Sequence, residues 1–368
     1  MTTTEHLTVC DLTLTTRGPL HIGSGNTCAK TDYIFDPRSE TVRMIDPDAL
    51  FRWLYTRRLA DRYERFVLSG DTRMVQFFRD CAITDQELDS ICLYTINASD
   101  ALDDSHSLKE LHTFIRNSEN RIYVPGSSVK GALRTVILAA MIAREKKGVW
   151  PSADLKKRER ANQMQTLEGQ YLNSLALKRD KFQNAVNDPV NSILRGLSVS
   201  DSEVVPDTDI ILVGKIDANE HGEYKKLPLC RECIRPGVKL HFRLTLDHSV
   251  LPDTFSPESL LKMIQDYDRY YQQTVLSRFS PPVGAYVVSY QQALILGGGS
   301  GFFAKSLAYP YLGTPKGMTY TQQIMEEQFR KHGHDKDITR HGISPHTMKY
   351  GKVLGQLYPY GVCGVEII

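Results

Sequence analysis

The sequence predicts an α+β protein built from two related modules of sheet and helix, and three observations lead to this class. Residues 7–16 alternate apolar and polar side chains, which is typical of a half-buried strand. A long apolar helix is predicted over 129–146, after a short strand. Strand-like runs then return, and another helix follows them. Strands and helices in both halves of the chain favour two modules, residues 1–194 and 195–368.

The elements before residue 113 follow from local patterns. A glycine turn at 23–25 follows the first strand. Two short apolar runs at 33–35 and 42–45, separated by polar turn residues, predict a hairpin. A helix is expected over about 46–68, because a proline at its start loses no hydrogen bond. Residues 71–112 are interpreted as polar and helical, and we expect an inserted helical region there.

A strand and a helix complete the first module. Residues 121–124 predict a short strand, and Ser127 or Ser128 is expected to cap the helix that follows. The stretch 144–190 is charged and poor in β-branched residues, which predicts an exposed helical insertion. It carries the densest positive charge of the chain, namely Lys146, Lys147, Lys156, Lys157, Arg158 and Arg160.

The second module is predicted from the same kinds of signal. Three strand-like segments are expected between residues 195 and 247, followed by a helix over about 257–279. A strand-like run then leads into a loop with three successive glycines, and residues 362–368 are expected to form a closing strand.

Composition limits the functional classes. A chain of 368 residues exceeds the usual size of one domain. The net charge of +2 is not that of a strongly basic protein, so any charge that binds RNA has to be concentrated on one face. No apolar run approaches the roughly 20 residues that span a bilayer, and the N-terminus lacks a secretory signal. Seven scattered cysteines argue against a disulfide framework. We expect a cytoplasmic protein with no membrane partner.

Two groups of residues in the sequence have side chains that can bind metal ions. Cys230 and Cys233 form a single Cys-x-x-Cys, without a second ligand pair at zinc-finger spacing, and we interpret them as ordinary strand cysteines. The histidines between 332 and 346 lie in a basic, glycine-bearing stretch that we interpret as a solvated loop. We therefore expect no metal site and no cofactor.

Three glycine-bearing segments suggest a surface that holds phosphates along a polyanion, for which RNA is the obvious candidate. Glycine lets backbone N–H groups approach a ligand closely. A helix start adds unpaired donors and a partial positive charge. Lys130 and Arg134 lie four apart on one helical face, and Phe302 offers a ring for base stacking. The expected RNA-binding residues are Gly23, Ser24, Gly25, Ser127, Ser128, Lys130, Arg134, Gly297, Gly298, Gly299, Gly301, Phe302 and Lys305.

Taken together, PLHIGSG after a first strand, PGSSVKGALR at a helix start and GGGSGF near the C-terminus resemble the RAMP superfamily of CRISPR-associated RNA-binding proteins. LSVSDSEVV in mid-chain and CRECIRPG before a strand make the sequence most similar to the Csm five family of type III-A effector complexes. The resemblance implies two ferredoxin-like (RRM-like) modules with a glycine-rich loop in the second.

The same resemblance implies a function. A Csm five subunit caps the 3′ end of the guide RNA (crRNA), on a filament of Csm three backbone subunits. It is needed for crRNA maturation in antiviral defence, with trimming by recruited host nucleases. The resemblance implies a protein that is not an enzyme, whose partners are single-stranded crRNA, Csm three and the other Csm subunits.

Two alternatives stay open from the sequence. The first is an endoribonuclease of the same superfamily that cuts precursor crRNA, with His21 as general acid or base or with Asp32 (Asp36 competes for this role) as an acidic residue. The second is a scaffold whose main partner is protein and whose RNA contact is incidental. The basic run 144–160 fits RNA contact, partner docking or a solvated helix.

Overall fold

The computed structural model describes residues 2–4, 6–102, 108, 110–175, 177 and 188–368. Its strands, in chain order, are β1 (Thr2–Thr4), β2 (Leu7–Thr16), β3 (Gly23–Cys28), β4 (Tyr33–Asp36), β5 (Thr41–Ile45), β6 (Cys92–Asn97), β7 (Glu110–Phe114), β8 (Leu197–Val199), β9 (Ile210–Ala218), β10 (Tyr224–Ile234), β11 (Lys239–Asp247), β12 (Ala293–Ile295), β13 (Met348–Val353), β14 (Gln356–Pro359) and β15 (Val362–Ile367).

The helices lie between these strands in the chain. In chain order they are α1 (Pro47–Thr56), α2 (Ala60–Leu68), α3 (Met74–Asp80), α4 (Asp85–Ser90), α5 (Gly126–Arg144), α6 (Lys157–Leu172), α7 (Pro257–Thr274), α8 (Ala308–Leu312), α9 (Thr314–Gln328) and α10 (Asp337–His341). The protein is therefore an α+β protein, as the sequence predicts.

The first sheet has the strand order β12-β15-β2-β11-β8, with β1 added to β2, and all its pairings are antiparallel. Helices α5 and α7 pack on this sheet. Leu12 and Leu14 of β2, Leu133 of α5 and Leu260 of α7 belong to one buried cluster. By length and composition α5 could cross a membrane, but eight of its residues are buried in the fold.

The second sheet has the order β3-β7-β10-β9-β6-β5-β4, and β13 pairs with both β9 and β14. The β7–β10 and β6–β9 pairings are parallel, and the others are antiparallel. Buried residues of this sheet, such as Leu212 and Cys230, belong to the same cluster as Leu12 and Leu133. Each sheet takes strands from both sides of residue 194, so the expected boundary does not separate the two sheets.

The predictions based on local patterns are confirmed for the first strand, the β4–β5 hairpin, α7 and the closing strand β15. The expected helix over 46–68 is divided into α1 and α2. The interpretation of 71–112 as helical is wrong beyond Ser90, because β6 and β7 are strands of the second sheet. Both strands are held by partners distant in sequence, which no local pattern reveals.

Candidate nucleic-acid interface

The glycine-rich loop at 297–301 packs directly on the PLHIGSG segment. The N–H of Gly298 donates to the carbonyl oxygen of His21 at 2.7 Å. A Cβ on Gly297 would lie 2.4 Å from that oxygen, and a Cβ on Gly298 would lie 2.8 Å from Cδ2 of His21. The fold therefore brings together two of the three predicted segments, and only glycine fits the closest approach.

His21 belongs to the PLHIGSG segment, and its buried ring lies against the glycine-rich loop. Its Nδ1 lies 2.7 Å from the carbonyl oxygen of Glu232, and its ring meets the ring of Phe114 edge-on at 5.9 Å. Burial lowers the pKa of His21 to about 4. The imidazole is therefore neutral at pH 7, and this environment favours a packing role over general acid–base chemistry.

The first glycine segment forms the start of β3, at the edge of the second sheet. Gly23, Ser24 and Gly25 are exposed, and the register shifts between Gly23 and Thr27. The hydroxyl of Ser24 is 2.6 Å from the hydroxyl of Thr113 on β7. The backbone of this edge is accessible to a ligand that runs along the sheet.

A row of cationic side chains crosses the face of the second sheet beneath the glycine-rich loop. The register pairs Arg231 of β10 with Val213 of β9, and Lys215 lies two residues further along the same face. Lys349 of β13 pairs with Asp217 of β9 and so joins this face. Lys305 follows the loop itself. We call Lys215, Arg231, Lys305 and Lys349 the cationic cluster.

Contacts link the cationic cluster to the loop. A Cβ on Gly299 would lie 3.6 Å from Nη1 of Arg231, and a Cβ on Gly301 would lie 3.5 Å from Cγ of Lys349. The Arg231 guanidinium also lies 5.8 Å from the ring centroid of Tyr360. The cluster therefore surrounds a segment that has almost no side chains of its own.

The electrostatics of the cluster suit an anion. Burial, and then the nearby charge of Arg231, lower the pKa of Lys305; burial also lowers the pKa of Lys215. Among the described residues, Nη1 of Arg231 is buried and has no hydrogen-bond partner. Asp217 pairs with Lys349 at 2.7 Å and with Lys215 at 3.7 Å. One carboxylate thus pairs with two partly desolvated lysines, and an added phosphate would lower the repulsion within the cluster.

Phe302 lies beside the cluster but turns partly toward the core. Its ring meets that of Phe303 edge-on at 6.3 Å, and Phe303 is buried. Phe302 is one of the partly buried residues that pack against the hydrophobic cluster containing Phe303. The side chain keeps a partly exposed ring at the loop, as base stacking requires.

The third predicted segment, at the start of α5, is arranged differently from the expectation. The residue before the helix is Pro125, and neither Ser127 nor Ser128 caps it. The carboxylate of Asp201 instead accepts from the N–H of Gly126 at 2.8 Å. The predicted serine cap is therefore wrong, because a side chain 75 residues away supplies the acceptor.

The two cations of this segment are both partly exposed, but only Arg134 has a carboxylate partner among the ion pairs of the described residues. Arg134 forms an ion pair with Glu168 of α6 at 2.5 Å, and burial lowers the pKa of the half-buried Lys130. Among the described residues, no hydrogen bond or ion pair joins the start of α5 to the glycine-rich loop.

Asp32 and Asp36 lie in the turns of the β4–β5 region. Oδ2 of Asp32 accepts from the N–H of Ala29 at 2.8 Å. Asp36 accepts from the N–H of Arg38 and the hydroxyl of Ser39, and these hydrogen bonds lower the pKa of Asp36. Both carboxylates stabilise turns.

One cation of the basic run is buried and held by hydrogen bonds, whereas the others are exposed. Arg160 is buried, donates to the carbonyls of Ala153 and Leu155, and pairs with Glu327 at 2.6 Å. The other six cations of the run are exposed: Arg144, Lys146, Lys147, Lys156, Lys157 and Arg158. Part of the predicted insertion, at 176 and 178–187, lies outside the described residues.

The structure agrees with the interpretation of the two cysteines but not with that of the histidines. Cys230 and Cys233 are buried on β10 in two different apolar clusters, as expected of ordinary strand residues. The interpretation of the histidines between 332 and 346 as a solvated loop is wrong. His334 and His346 pack around the buried carboxylate of Asp337, because that group needs hydrogen-bond donors.

Comparison with known proteins identifies the family. The family model described as the RAMP superfamily matches residues 13–281. The chain belongs to the RAMP superfamily. The matched range contains the first two glycine segments, whereas the glycine-rich loop lies beyond it.

Within the RAMP superfamily, the curated relatives include proteins named CRISPR system Cms protein Csm5. The relative from Mycobacterium tuberculosis is 28% identical over 267 residues, which cover 71% of this chain and 68% of the relative. The relative from Enterococcus italicus is 25% identical over 347 residues, covering 85% and 84%.

Solved structures share the fold. A chain of the cryo-EM structure of a Csm–crRNA–target RNA ternary complex, from a type III-A CRISPR-Cas system, aligns with a TM-score of 0.62 and 19% identity, covering 97% of this chain and all of that chain. The crystal structure of T. onnurineus Csm5 aligns with a TM-score of 0.57 and 16% identity, covering 96% and 99%.

The cationic cluster, apart from Lys305, was not predicted from the sequence. Lys215, Arg231 and Lys349 are distant in the chain, and only the strand register places them on one face. Each is a single basic residue in a strand, so none differs locally from an ordinary edge or surface residue.

Proposed function

We propose that this protein is a non-catalytic RNA-binding subunit of a type III-A CRISPR effector complex, in which it holds the 3′ portion of the crRNA. The observation that carries the proposal is the cationic cluster around the glycine-rich loop. Membership of the RAMP superfamily, the relatives named Csm5 and the shared fold of a chain from a Csm–crRNA–target RNA complex support it.

The contacts suit recognition of the RNA backbone rather than its sequence. The partly buried Arg231 guanidinium and the lysines present positive charge to phosphates and read no base edges. The glycines of the loop at 297–301 are partly exposed, so RNA can lie against the loop backbone. The exposed edge at Gly23–Gly25 extends the surface along the second sheet, so we assign phosphates to both segments and base stacking to Phe302.

The start of α5 and the exposed lysines of the basic run form the second part of the proposal. Ser127, Ser128 and Lys130 are accessible in whole or in part. In the assembled complex we expect this face to contact either the RNA or the neighbouring backbone subunit, Csm three. Maturation of the crRNA, through recruited host nucleases, then depends on the protein as a cap and not as a catalyst.

We further propose that the modules are the two sheets with their helices. In the first sheet, β2-α5-β8-β11-α7-β15 follows the βαββαβ order of a ferredoxin-like unit, with the sheet order β15-β2-β11-β8. The second sheet then corresponds to the other module, and both contain residues from either half of the chain.

The test uses purified protein and a guide-like single-stranded RNA labelled at either end, with and without magnesium. We expect intact RNA, bound with an affinity that falls with salt at a slope of about −0.7 per phosphate contacted. An Arg231→Ala, Lys305→Ala variant is expected to bind at least about tenfold more weakly. Arg269→Ala with Lys262→Ala, both exposed on α7, is the matched control.

The two alternatives predict other results. Discrete RNA products that disappear in His21→Ala would identify an endoribonuclease. Binding that is unchanged in the Arg231→Ala, Lys305→Ala variant, with little salt dependence, would favour a scaffold with incidental RNA contact.

A further inference from the structure

A second polar site lies around Asp337, outside the proposed RNA-binding surface. The side chain of Asp337 is 1% exposed. Its Oδ2 lies 2.9 Å from Nδ1 of His334, and its Oδ1 lies 2.8 Å from Nδ1 of His346. The hydroxyl of Ser344 donates to Oδ2 at 2.8 Å. Two imidazoles thus converge on the two oxygens of one buried carboxylate.

We propose that His334, Asp337 and His346 bind a divalent first-row transition-metal ion, with Zn²⁺ as the expected occupant. One ligand atom from each residue lies within 4.8 Å of the others. Two ligand atoms about 2.1 Å from a tetrahedral ion are about 3.4 Å apart, whereas the N···O distances here are 2.9 and 2.8 Å. An ion can therefore replace the shared protons if the ligand atoms move apart by about half an ångström.

The donor set selects the class of ion. Two imidazole nitrogens with one carboxylate suit zinc, cobalt, nickel and ferrous iron, whereas calcium and magnesium prefer oxygen ligands throughout. Binding requires a neutral imidazole with a free Nδ1 lone pair at each histidine, and an ionised carboxylate.

The surroundings provide access and support. The side chains of His334 and His346 are 12% and 23% exposed, so an ion can reach the site from solvent. Ser344 donates to the carboxylate from outside the ligand set and orients it. The ring of His341 stacks on that of His346 at 4.4 Å, and His341 is itself held by Glu220 at 2.6 Å. The pair His341–Glu220 thus fixes one ligand ring.

The ion would connect two parts of the chain. Asp337 begins α10, and His346 lies two residues before β13, the strand that carries Lys349. A bound ion would therefore join the start of α10 to the residues that lead into β13, a strand of the second sheet. This inference does not depend on the proposed RNA binding, because none of its three ligands belongs to the cationic cluster.

The experiment is a calorimetric titration of the chelator-treated, full-length protein with Zn²⁺, followed by titration with Co²⁺ observed by absorption. We expect one Zn²⁺ per chain and a melting temperature that rises by several degrees when Zn²⁺ is added. His346→Gln is expected to weaken Zn²⁺ binding at least tenfold. His241→Gln, an exposed histidine on β11 in the first sheet, is the matched control and should bind as the wild type does.

Circular dichroism checks the fold of each variant, and His334→Gln serves as the second variant if His346→Gln does not fold. The proposal is overturned if the folded wild-type protein binds neither ion. It is also overturned if a folded His334→Gln or His346→Gln variant binds Zn²⁺ as tightly as the wild type.

Discussion

We expect acid to destabilise this protein because His21 gains a proton when the chain unfolds. A substitution of His21 should remove this part of the pH dependence of stability. In the folded protein the ring is 3% exposed, and burial lowers its pKa from 6.5 to about 4. The unfolded chain therefore binds a proton near pH 6.5, whereas the folded protein does not until about pH 4. Between these values the unfolded state binds more protons, so stability rises with pH and is lost as pH falls.

The size of the effect follows from the displacement of the pKa. A tenfold change in proton affinity corresponds to about 1.4 kcal/mol, so a pKa lowered from 6.5 to about 4 corresponds to about 3 kcal/mol. Above pH 6.5 this contribution to stability is fully present, and at pH 4.5 most of it is lost. Other groups titrate in the same pH range, so the unfolding of the wild type alone does not isolate the contribution of His21 to stability.

Urea unfolding of the wild type and of His21→Gln, each at pH 7.0 and pH 4.5, isolates the contribution of His21 to the free energy of unfolding. A glutamine amide can donate to the Glu232 carbonyl but does not titrate, so the variant loses packing without the proton linkage. We expect the stability advantage of the wild type to be about 2–3 kcal/mol smaller at pH 4.5 than at pH 7.0. An advantage that is equal at both pH values would refute the reasoning, because the ring would then titrate in the folded state. His241→Gln, an exposed histidine, should show no such difference.

Three further predictions concern the loop, the core and the basic run. Gly298→Ala places a Cβ 2.8 Å from the His21 ring and should weaken RNA binding several-fold, whereas Lys262→Ala, exposed on α7, should leave binding unchanged in the same assay. Glu232→Ala removes a buried carboxylate that accepts from Phe114, Tyr94 and Arg116, and urea unfolding should show a loss of about 3–5 kcal/mol; a loss below about 1 kcal/mol would contradict this role. Charge reversal of the exposed cations at 156–158 should lower RNA retention by the assembled complex without changing the melting temperature of the isolated protein, and a lower melting temperature would show a structural role instead.

Local sequence patterns predict those elements whose stability depends on near neighbours. The alternation in β2, the polar turn of the β4–β5 hairpin and the long amphipathic run of α7 are visible in the chain, and all three form as expected. Strand β6 was missed because it is specified by pairing with β5 and β9 rather than by its own pattern. The helix start at Gly126 was assigned the wrong cap for a similar reason, since its acceptor comes from Asp201.

The candidate site follows the same rule. The glycine segments were predicted because glycine is locally distinctive, and the fold places two of them in contact through His21. Arg231 and Lys349 were not predicted, because their proximity depends on the register of three strands. The histidines around Asp337 were misassigned because a buried carboxylate cannot be recognised from a hydrophilic stretch.

Photochemical crosslinking in the assembled complex tests the central claim most directly. A crRNA that carries photoreactive nucleotides in its 3′ portion is irradiated, and the crosslinked peptides of this protein are identified by mass spectrometry. We predict crosslinks to the glycine-rich loop with Lys305 and to the strand that contains Arg231. Crosslinks confined to the exposed lysines between 146 and 157, with none at the loop or at Arg231, would contradict the assignment of the cationic cluster as the RNA-binding site.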